Sequence, residues 1–312
     1  MKPHSVRRRS VGIVVAVAIT LAHDVSAQSP SPGQPAADPE IVLTFDRPEA
    51  WAMKYFTSAT FLSGLTTPDE TRRGSIAIGL EGVWLPTLSE EQQRVGYYGT
   101  AMQDLNKAPV FLRPRLTVGL PGRVAVIAAV VPPIRSFGIT PRLGALGVEW
   151  MMIDRAAWSL GWRAHGQIGT VTGAITCPSS VVAFKPGSGD NPTGCGAESS
   201  DVTTMRYGGV ELQVARRVSE KLTPHFAVGV TAIGSVFQTN AVTFGQLDRT
   251  RLRANGVTYS ASAGVGYAIA DRFTIAVDAF YSPLMVRRTS TGPLTNDPLI
   301  NARALVIYRV RR

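Results

Sequence analysis

The side chains with the clearest potential for chemistry are charged residues and one histidine that share the polar face of alternating stretches. They are Glu81, Arg113, Arg115, Glu149, Arg163, His165, Glu211, Asp278 and Arg303. Four of the nine are acids and four are arginines, and charges enclosed in a protein are costly unless they are paired. We expect an internal salt-bridge network or a narrow solute path, in which Arg113 and Arg115 would favour anions.

Beyond the first 27 residues, His165 and His225 are the only histidines and hence the candidates for acid–base catalysis. A general base needs an orienting partner within hydrogen-bond reach. His165 lies between Arg163 and Gln167 with no acid at local spacing, and His225 begins a predicted strand next to a tight turn. The sequence also lacks a phosphate-binding glycine loop, a zinc signature and a dinucleotide fingerprint. We therefore predict no enzymatic activity, no cofactor and no metal.

Cys177 and Cys195 are the only cysteines of the chain. Both fall in the longest predicted connection between strands, on either side of the turn-rich sequence 187–192 (GSGDNP). In an exported protein two cysteines favour a disulfide, and no second pair of ligands nearby suggests a metal site. We predict a Cys177–Cys195 bridge.

Residues 1–27 have the features of a secretory signal peptide. Lys2 and residues 7–9 are basic, residues 11–22 are apolar, and the small residues at 25–27 offer a cleavage site before Gln28. A retained anchor is the alternative, but twelve apolar residues are too few to span a membrane as a helix. Residues 28–40 are polar and rich in proline, which predicts a flexible leader.

Removing residues 1–27 leaves a chain with a formal net charge of +7. Its basic residues are scattered and export separates it from nucleic acid, so an anionic lipid or solute fits this charge better than a nucleic acid does. No apolar run in this part of the chain approaches the roughly eighteen residues of a membrane-spanning helix.

From Gly74 onward, apolar and polar residues alternate with a period of two, as in half-buried β-strands. The clearest pair of strands is separated only by Ala270, Asp271 and Arg272, which predicts a tight hairpin. The pattern predicts ten strands, near 74–86, 110–120, 122–132, 141–152, 157–171, 203–217, 223–237, 257–269, 272–284 and 299–310. An even number is typical of closed bacterial barrels.

The connections between the predicted strands alternate in length. Four are tight turns, and the longer ones are 87–109, 133–140, 172–202, 238–256 and 285–298. Outer-membrane barrels have this asymmetry, with tight periplasmic turns and long outward loops. The polar face is rich in Gly, Ser, Thr and Ala, whereas solvated strands usually carry many Lys and Glu. We predict an all-β, antiparallel up-and-down transmembrane barrel over residues 74–312, with a soluble secreted β-protein as the alternative.

Aromatic residues on the apolar face favour a membrane location. Tyr259 and Tyr267 are eight residues apart, about 26 Å along a strand, and strand tilt reduces this to roughly 20 Å, near the apolar band of about 25 Å. Aromatic rings prefer the two membrane interfaces. The predicted interface aromatics are Trp84, Trp150, Trp158, Tyr259, Tyr267, Phe273, Tyr281 and Tyr308.

Residues 41–73 lack the alternation of the strands that follow. Asp46 and Pro48 signal the start of a helix, and one face of that helix carries Trp51, Tyr55, Ala59 and Leu62. We predict a short amphipathic helix near 48–62 that plugs the barrel or lies against its periplasmic mouth. A first strand or a surface helix is the alternative.

The signal peptide, the alternating strands and the loop asymmetry resemble the outer-membrane β-barrel class of Gram-negative bacteria over residues 74–310. Such proteins usually end in a strand whose last residue is Phe or Trp, whereas this chain ends Tyr308-Arg309-Val310-Arg311-Arg312. The resemblance implies the outer membrane as location, and barrel-assembly machinery, outer-membrane lipid and lipopolysaccharide as partners. The segment before the first strand resembles the plug of long-chain fatty-acid transporters, a family with more strands.

Three functions are compatible with these features. The first is a structural barrel or narrow passive channel for small solutes. The second is a plugged transporter of a small hydrophobic or anionic molecule. The third is an enzyme, because some outer-membrane proteases, phospholipases and lipid A-modifying enzymes are small barrels, and His165 would then be the candidate catalytic residue.

Overall fold

The computed structural model describes residues 39–65, 74–155 and 157–311. Ten long strands, numbered β1 to β10 in chain order, form one antiparallel sheet. Their bounds are Ile76–Trp84, Val110–Leu120, Val124–Val131, Ile139–Arg155, Trp158–Gly173, Asp201–Arg216, Leu222–Gln238, Arg251–Ala270, Phe273–Ser282 and Leu299–Arg311. Each strand pairs with the next, and β10 pairs with β1, so the sheet closes into a barrel. The predicted fold class is confirmed.

The strand bounds match the alternating pattern closely, with one exception. Strand β8 begins at Arg251, whereas the sequence pattern places its start at Val257. In the additional residues, 251–256, the alternation has the opposite phase, because Leu252 and Ala254 pack against the N-terminal segment and polar residues alternate with them. These residues pair with the end of β7 and with an N-terminal strand, Glu40–Val42. The predicted start was therefore wrong where the apolar residues of the strand change from the outer face to the inner face.

Closure of the barrel assigns the two faces of each strand to different surroundings. In β2, Leu112 and Leu116 face outward with 53% and 43% of their surface exposed, whereas Arg113 and Arg115 face the interior at 0% and 4%. A closed sheet also satisfies the backbone donors and acceptors that an open edge would leave unpaired in lipid. The barrel is apolar outside and charged inside.

The two ends of the barrel differ in the length of their connections. Tight turns join β2 to β3, β4 to β5, β6 to β7 and β8 to β9 at one end, which faces the periplasm in barrels of this type. The long connections at the other end contain short helices (Glu90–Gln93, Gly96–Gly99, Ser179–Val182) and short strand pairs (Arg94–Val95 with Ala101–Met102, Ala241–Thr243 with Gln246–Asp248, Met285–Val286 with Thr295–Asn296). We call these the turn end and the loop end.

Most of the N-terminal segment, residues 40–65, lies inside the barrel. The segment starts at the loop end, where the exposed strand Glu40–Val42 runs parallel to Arg251–Arg253 of β8. Helix α1, Pro48–Ala59, follows in the lumen, and Leu65 packs against Ala276, near the turn end. The described chain therefore crosses the lumen from the loop end towards the turn end, and α1 does not lie at the periplasmic mouth.

Helix α1 has a favourable start and a fully enclosed environment. Pro48 is its first residue and Glu49 lies in its first turn, where a fixed φ and a negative charge both stabilise a helix. Eleven of its twelve residues are buried, so the helix is enclosed on all sides, unlike the amphipathic helix that the sequence predicted. Within the described residues, no helix is long and apolar enough to cross a membrane.

Candidate functional site

Residues 60–65, which we call the strap, close the half of the lumen that lies towards the turn end. The strap follows α1 directly and has no regular secondary structure. Arg113 donates hydrogen bonds to the carbonyl oxygens of Thr60 and Phe61, at 2.5 and 3.1 Å. Arg303 donates to the same Phe61 oxygen at 3.1 Å. Two arginines of the barrel wall, one on β2 and one on β10, thus bind the first residues of the strap.

The next residues of the strap are held in the same way. Arg163 donates to the carbonyl oxygens of Leu62 and Gly64, at 3.3 and 3.1 Å. The Gly64 N–H lies 3.3 Å from each carboxylate oxygen of Glu211, to which it donates. Gly64 has a φ of +62°, and a Cβ there would collide with Ser262 and Asp278. Only glycine fits this position without strain.

Tyr207 and Asp278 complete the contacts. The Tyr207 hydroxyl donates to the Thr60 carbonyl oxygen at 3.0 Å and accepts from the Leu62 N–H at 2.8 Å. Asp278 accepts from the Leu65 N–H at 2.6 Å. Buried backbone groups need partners, and here barrel side chains supply them. The wall therefore recognises the strap mainly through its backbone.

Acids on neighbouring strands pair with the arginines that hold the strap. Glu81 accepts two hydrogen bonds from Arg113, at 2.7 and 2.8 Å, and one from Arg115 at 2.7 Å. Arg163 lies between Glu149 and Glu211 in register and forms salt bridges with both. These acids compensate the buried positive charges of the arginines that donate to the strap.

All nine residues that the sequence placed on the polar face lie inside the barrel, each with at most 6% of its surface exposed. Eight of them form the ion pairs and strap contacts described above. His165 differs, because its ring lies against Phe61 and Tyr207, with centroids 6.3 and 5.8 Å apart. Among the described residues, no carboxylate hydrogen-bonds to it.

The sequence pattern did not predict the pairing of His225 with Asp278. The His225 Nε2 lies 2.5 Å from Asp278 Oδ1, and both side chains are buried. The two residues sit on β7 and β9, with Gly264 of β8 between them in register. A Cβ at Gly264 would clash with the Asp278 carboxylate. A glycine between two inward-facing polar residues on alternate strands was the signal that could have revealed the pair.

Lys54 holds helix α1 in place. The residue is 2% exposed, and its ammonium group donates to the carbonyl oxygens of Phe45 and Met285, at 2.5 and 2.7 Å. Burial lowers the pKa of this group to about 8, and the opposing effect of Asp46 is smaller. Lys54 thus connects α1 to the long connection between β9 and β10.

On the loop-end side of the strap, a cavity of about 370 Å³ separates α1 from part of the barrel wall. Its inner lining is apolar and includes Met53, Phe56, Phe111, Leu143, Met205 and Leu252. Ala59 and Thr60 also line the cavity, so the end of α1 and the first residue of the strap form its floor. The lumen therefore has an apolar chamber towards the loop end and a charged half towards the turn end.

The rim of this cavity is polar and is formed at the loop end. Among the residues that the structure describes, its cationic side chains are Arg47 and Lys107, which are paired with Glu49 and Asp104, at 2.8 and 2.9 Å. Tyr97, also on the rim, is 63% exposed. The cavity thus reaches the outer face, and its cations are already neutralised.

The predicted disulfide between Cys177 and Cys195 is confirmed. It lies in the long connection between β5 and β6, and both cysteines are fully buried. The Asn191 side chain reinforces the loop, since it donates to the Cys195 carbonyl oxygen at 3.0 Å and accepts from the Cys195 N–H at 2.7 Å. Within the described residues, no group of three or more His, Cys, Asp or Glu side chains could hold a metal ion.

Removing the bridge with Cys177→Ser and Cys195→Ser is expected to loosen this loop alone. The bridge closes a loop of eighteen residues, which is worth about 3 kcal/mol. Its removal is expected to allow roughly 100-fold faster cleavage by chymotrypsin after the exposed Phe184. Cleavage after Phe137, which is exposed in the connection between β3 and β4, is the internal control and should not change. Equal cleavage at Phe184 in both proteins would contradict the assignment.

The eight predicted interface aromatics all face outward, with 36–65% of each side chain exposed. Phe273 and Tyr308 are opposite each other in register at the turn end, with ring centroids 4.9 Å apart. Trp84 and Tyr281 lie at the loop ends of β1 and β9. Rings at both ends of an apolar wall match the two interfaces of a membrane.

Comparisons with known proteins give only weak likenesses. No protein-family model matches the chain, and the search of curated proteins gives no match. Solved structures that resemble it include Ail of Yersinia pestis (14% identity, 76% of this chain and 99% of that one, TM-score 0.32). Others are the outer-membrane protease OmpT of Escherichia coli (10%, 76% and 92%, 0.38) and the toluene transporter TodX of Pseudomonas putida (11%, 85% and 76%, 0.32). Such low similarities transfer no activity or ligand.

The barrel's own construction identifies its class. Ten antiparallel strands close on themselves, the outer wall is apolar, and the charged residues are enclosed. Tight turns lie at one end and long connections at the other, as in bacterial outer-membrane barrels. This chain is an integral outer-membrane β-barrel protein whose outer wall contacts membrane lipid.

Proposed function

We propose that this barrel takes up a small, neutral, hydrophobic molecule from the outer face, with the apolar cavity beside α1 as its binding site. The observation that carries the proposal is the cavity itself. Its volume of about 370 Å³ lies in the range of small-molecule sites, which are mostly apolar with a few polar groups. The second of the three functions considered from the sequence is thus the best supported.

The charges around the cavity favour a neutral ligand over an anion. The cations that the described residues contribute to its lining, Arg47 and Lys107, already pair with acids. An anion in this chamber would lose its hydration without gaining a free partner, which is unfavourable. The free carboxylate of a fatty acid would meet the same difficulty.

Passage to the periplasm requires the N-terminal segment to move. The floor of the cavity is formed by Ala59 and Thr60, and the strap below is bonded to the wall along its length. Displacement of α1 and the strap is therefore part of the proposed transport step. The barrel would alternate between a closed state, in which the strap is hydrogen-bonded to the wall, and an open state, in which α1 and the strap are displaced.

Catalysis is not part of the proposal. His165 lacks a carboxylate partner among the described residues and lies against the strap. In the His225–Asp278 pair, the second carboxylate oxygen accepts from the strap at Leu65. Both histidines thus face an occupied part of the lumen. Assembly by the barrel machinery and contact with lipopolysaccharide remain predictions.

Binding of naphthalene to the purified full-length protein tests the proposal. Leu143 faces the cavity and is 6% exposed, whereas Leu146 on the same strand faces lipid and is 64% exposed. Leu143→Trp fills the cavity and is expected to weaken binding by roughly tenfold, a loss of about 1.4 kcal/mol. Leu146→Trp makes the same change on the other face and should leave binding unchanged.

The anion 1-naphthoate provides the second comparison. We expect it to bind more weakly than naphthalene, because Arg47 and Lys107 of the described lining are already paired with acids. Equal effects of Leu143→Trp and Leu146→Trp would show that naphthalene partitions into the surrounding detergent or lipid, which would overturn the site. Preference for 1-naphthoate would overturn the choice of a neutral ligand.

A further inference from the structure

The lipid-facing wall carries two arginines on either side of a tryptophan at the turn end. Arg155, Trp158 and Arg216 lie on β4, β5 and β6, and they are directly opposite one another in register. All three are exposed, and Trp158 is among the eight interface aromatics, with 52% of its surface accessible. Residues in register on neighbouring strands project side by side from the same face, so the three side chains form one row. This row has no part in the lumen or the cavity.

The geometry of the row suits a single ligand group. The guanidinium of Arg216 lies 5.4 Å from the centre of the Trp158 ring, a cation–π distance. Adjacent strands are about 4.8 Å apart, so the backbones of the two arginines are separated by roughly 10 Å. Their long side chains can therefore converge on one group above the ring. Trp150 and Trp162 pack edge to face on the same strands, deeper in the apolar wall.

The charge of the row is uncompensated within the part of the chain that the structure describes. There, neither Arg155 nor Arg216 lies within salt-bridge distance of a carboxylate. The neighbouring acid, Asp154, is bonded instead to Arg217 at 2.7 Å. Two unpaired guanidinium groups thus lie beside a ring at the membrane interface.

We propose that Arg155, Trp158 and Arg216 bind the phosphodiester of an anionic phospholipid in the periplasmic leaflet. Guanidinium groups match phosphate oxygens with paired, charge-assisted hydrogen bonds. Clustered basic residues at a membrane surface attract anionic lipid. The ring of Trp158 packs against the glycerol region of the lipid, with its apolar edge towards the hydrocarbon. The assignment rests on the turn end facing the periplasm and is independent of the proposed uptake function.

Native mass spectrometry of the full-length protein, released from bilayers with equal amounts of phosphatidylglycerol and phosphatidylcholine, tests the site. The wild-type barrel is expected to retain phosphatidylglycerol preferentially. Each arginine near a membrane surface contributes about a factor of five in affinity, so Arg155→Gln with Arg216→Gln should reduce retention by roughly 30-fold. Arg155→Lys with Arg216→Lys keeps the charge without the planar fork and should give an intermediate loss.

Arg142 and Arg206 provide the matched control, because they lie exposed on the same face of β4 and β6, towards the loop end. Their replacement by glutamine makes the same change in charge and should leave phosphatidylglycerol retention at the wild-type level. Equal losses in the two double variants would overturn the site, as would equal retention of both lipids by the wild type. Displacement of the lipid by millimolar inorganic phosphate would indicate a site for free anions and would also overturn the proposal.

Discussion

Replacing Glu81 with leucine is expected to destabilise the barrel by about 3–5 kcal/mol. The Glu81 carboxylate is the partner of two buried arginines, Arg113 and Arg115. Its loss would leave both cations enclosed at 0–4% exposure without that acid, and an uncompensated buried charge is far more costly than a missing surface charge. The free energy of unfolding in urea, measured on protein refolded into bilayers, gives the difference.

Glu220 supplies the control for this substitution, because it lies exposed in the turn between β6 and β7. Glu220→Leu is expected to change the stability by no more than about 0.5 kcal/mol. Adding Arg113→Leu and Arg115→Leu to Glu81→Leu should recover part of the loss, since it replaces the whole ion cluster with apolar side chains. Recovery will be incomplete, because Arg113 also donates to the strap. If Glu81→Leu is as stable as Glu220→Leu, the account of the cluster is wrong.

The barrel wall was predictable because each strand has one face in lipid and the other in the lumen. That requirement makes apolar and polar residues alternate along each strand. In β2, for example, the outward Leu112 and Leu116 alternate with the inward Arg113 and Arg115. The pattern predicted the number of strands and the inward direction of the nine residues assigned to the polar face. It failed only at the start of β8, where the apolar residues change to the inner face and pack against the N-terminal segment.

The partner of the lumen charges was not predictable in the same way. The sequence favoured pairing among the side chains, and Glu81 with Arg113 and Arg115 agrees with that expectation. The arginines also bind carbonyl oxygens of the strap, such as that of Thr60. Every residue has a carbonyl group, so no residue type marks the one that an arginine will bind. Recognition through the backbone leaves almost no trace in the sequence.

The cavity was equally hidden, for a different reason. Its walls come from α1 and from strands that are distant in sequence, with Met53, Phe111 and Met205 as examples. Each of these residues reads as an ordinary core side chain. The empty space between them depends on how far α1 stands from the wall. That distance follows from the hydrogen bonds of Lys54 and of the strap. The pattern of polar and apolar residues does not predict these hydrogen bonds, because they involve backbone carbonyl oxygens.

Deleting residues 40–65 is expected to turn a barrel without steady ion current into a conducting one. Helix α1 and the strap fill the lumen, and the strap occupies the level of the charged cluster. Their removal leaves a wall lined by charged side chains, which would hydrate. We expect the mean current in planar bilayers to rise by roughly tenfold or more. Four acids and four arginines line this wall, so selectivity between anions and cations should be weak.

The control follows from the way in which the wall holds the strap. Arg163 and Tyr207 bind backbone atoms of Leu62, so Leu62→Ala removes a side chain but keeps these contacts. The Leu62→Ala barrel should therefore remain closed. Heat-modifiable migration on gels would verify that both proteins are folded before their currents are compared. A folded deletion variant that carries no current would contradict the role of this segment as the closure. Steady current through Leu62→Ala would instead show that side-chain packing, and not the hydrogen-bonded backbone, seals the lumen.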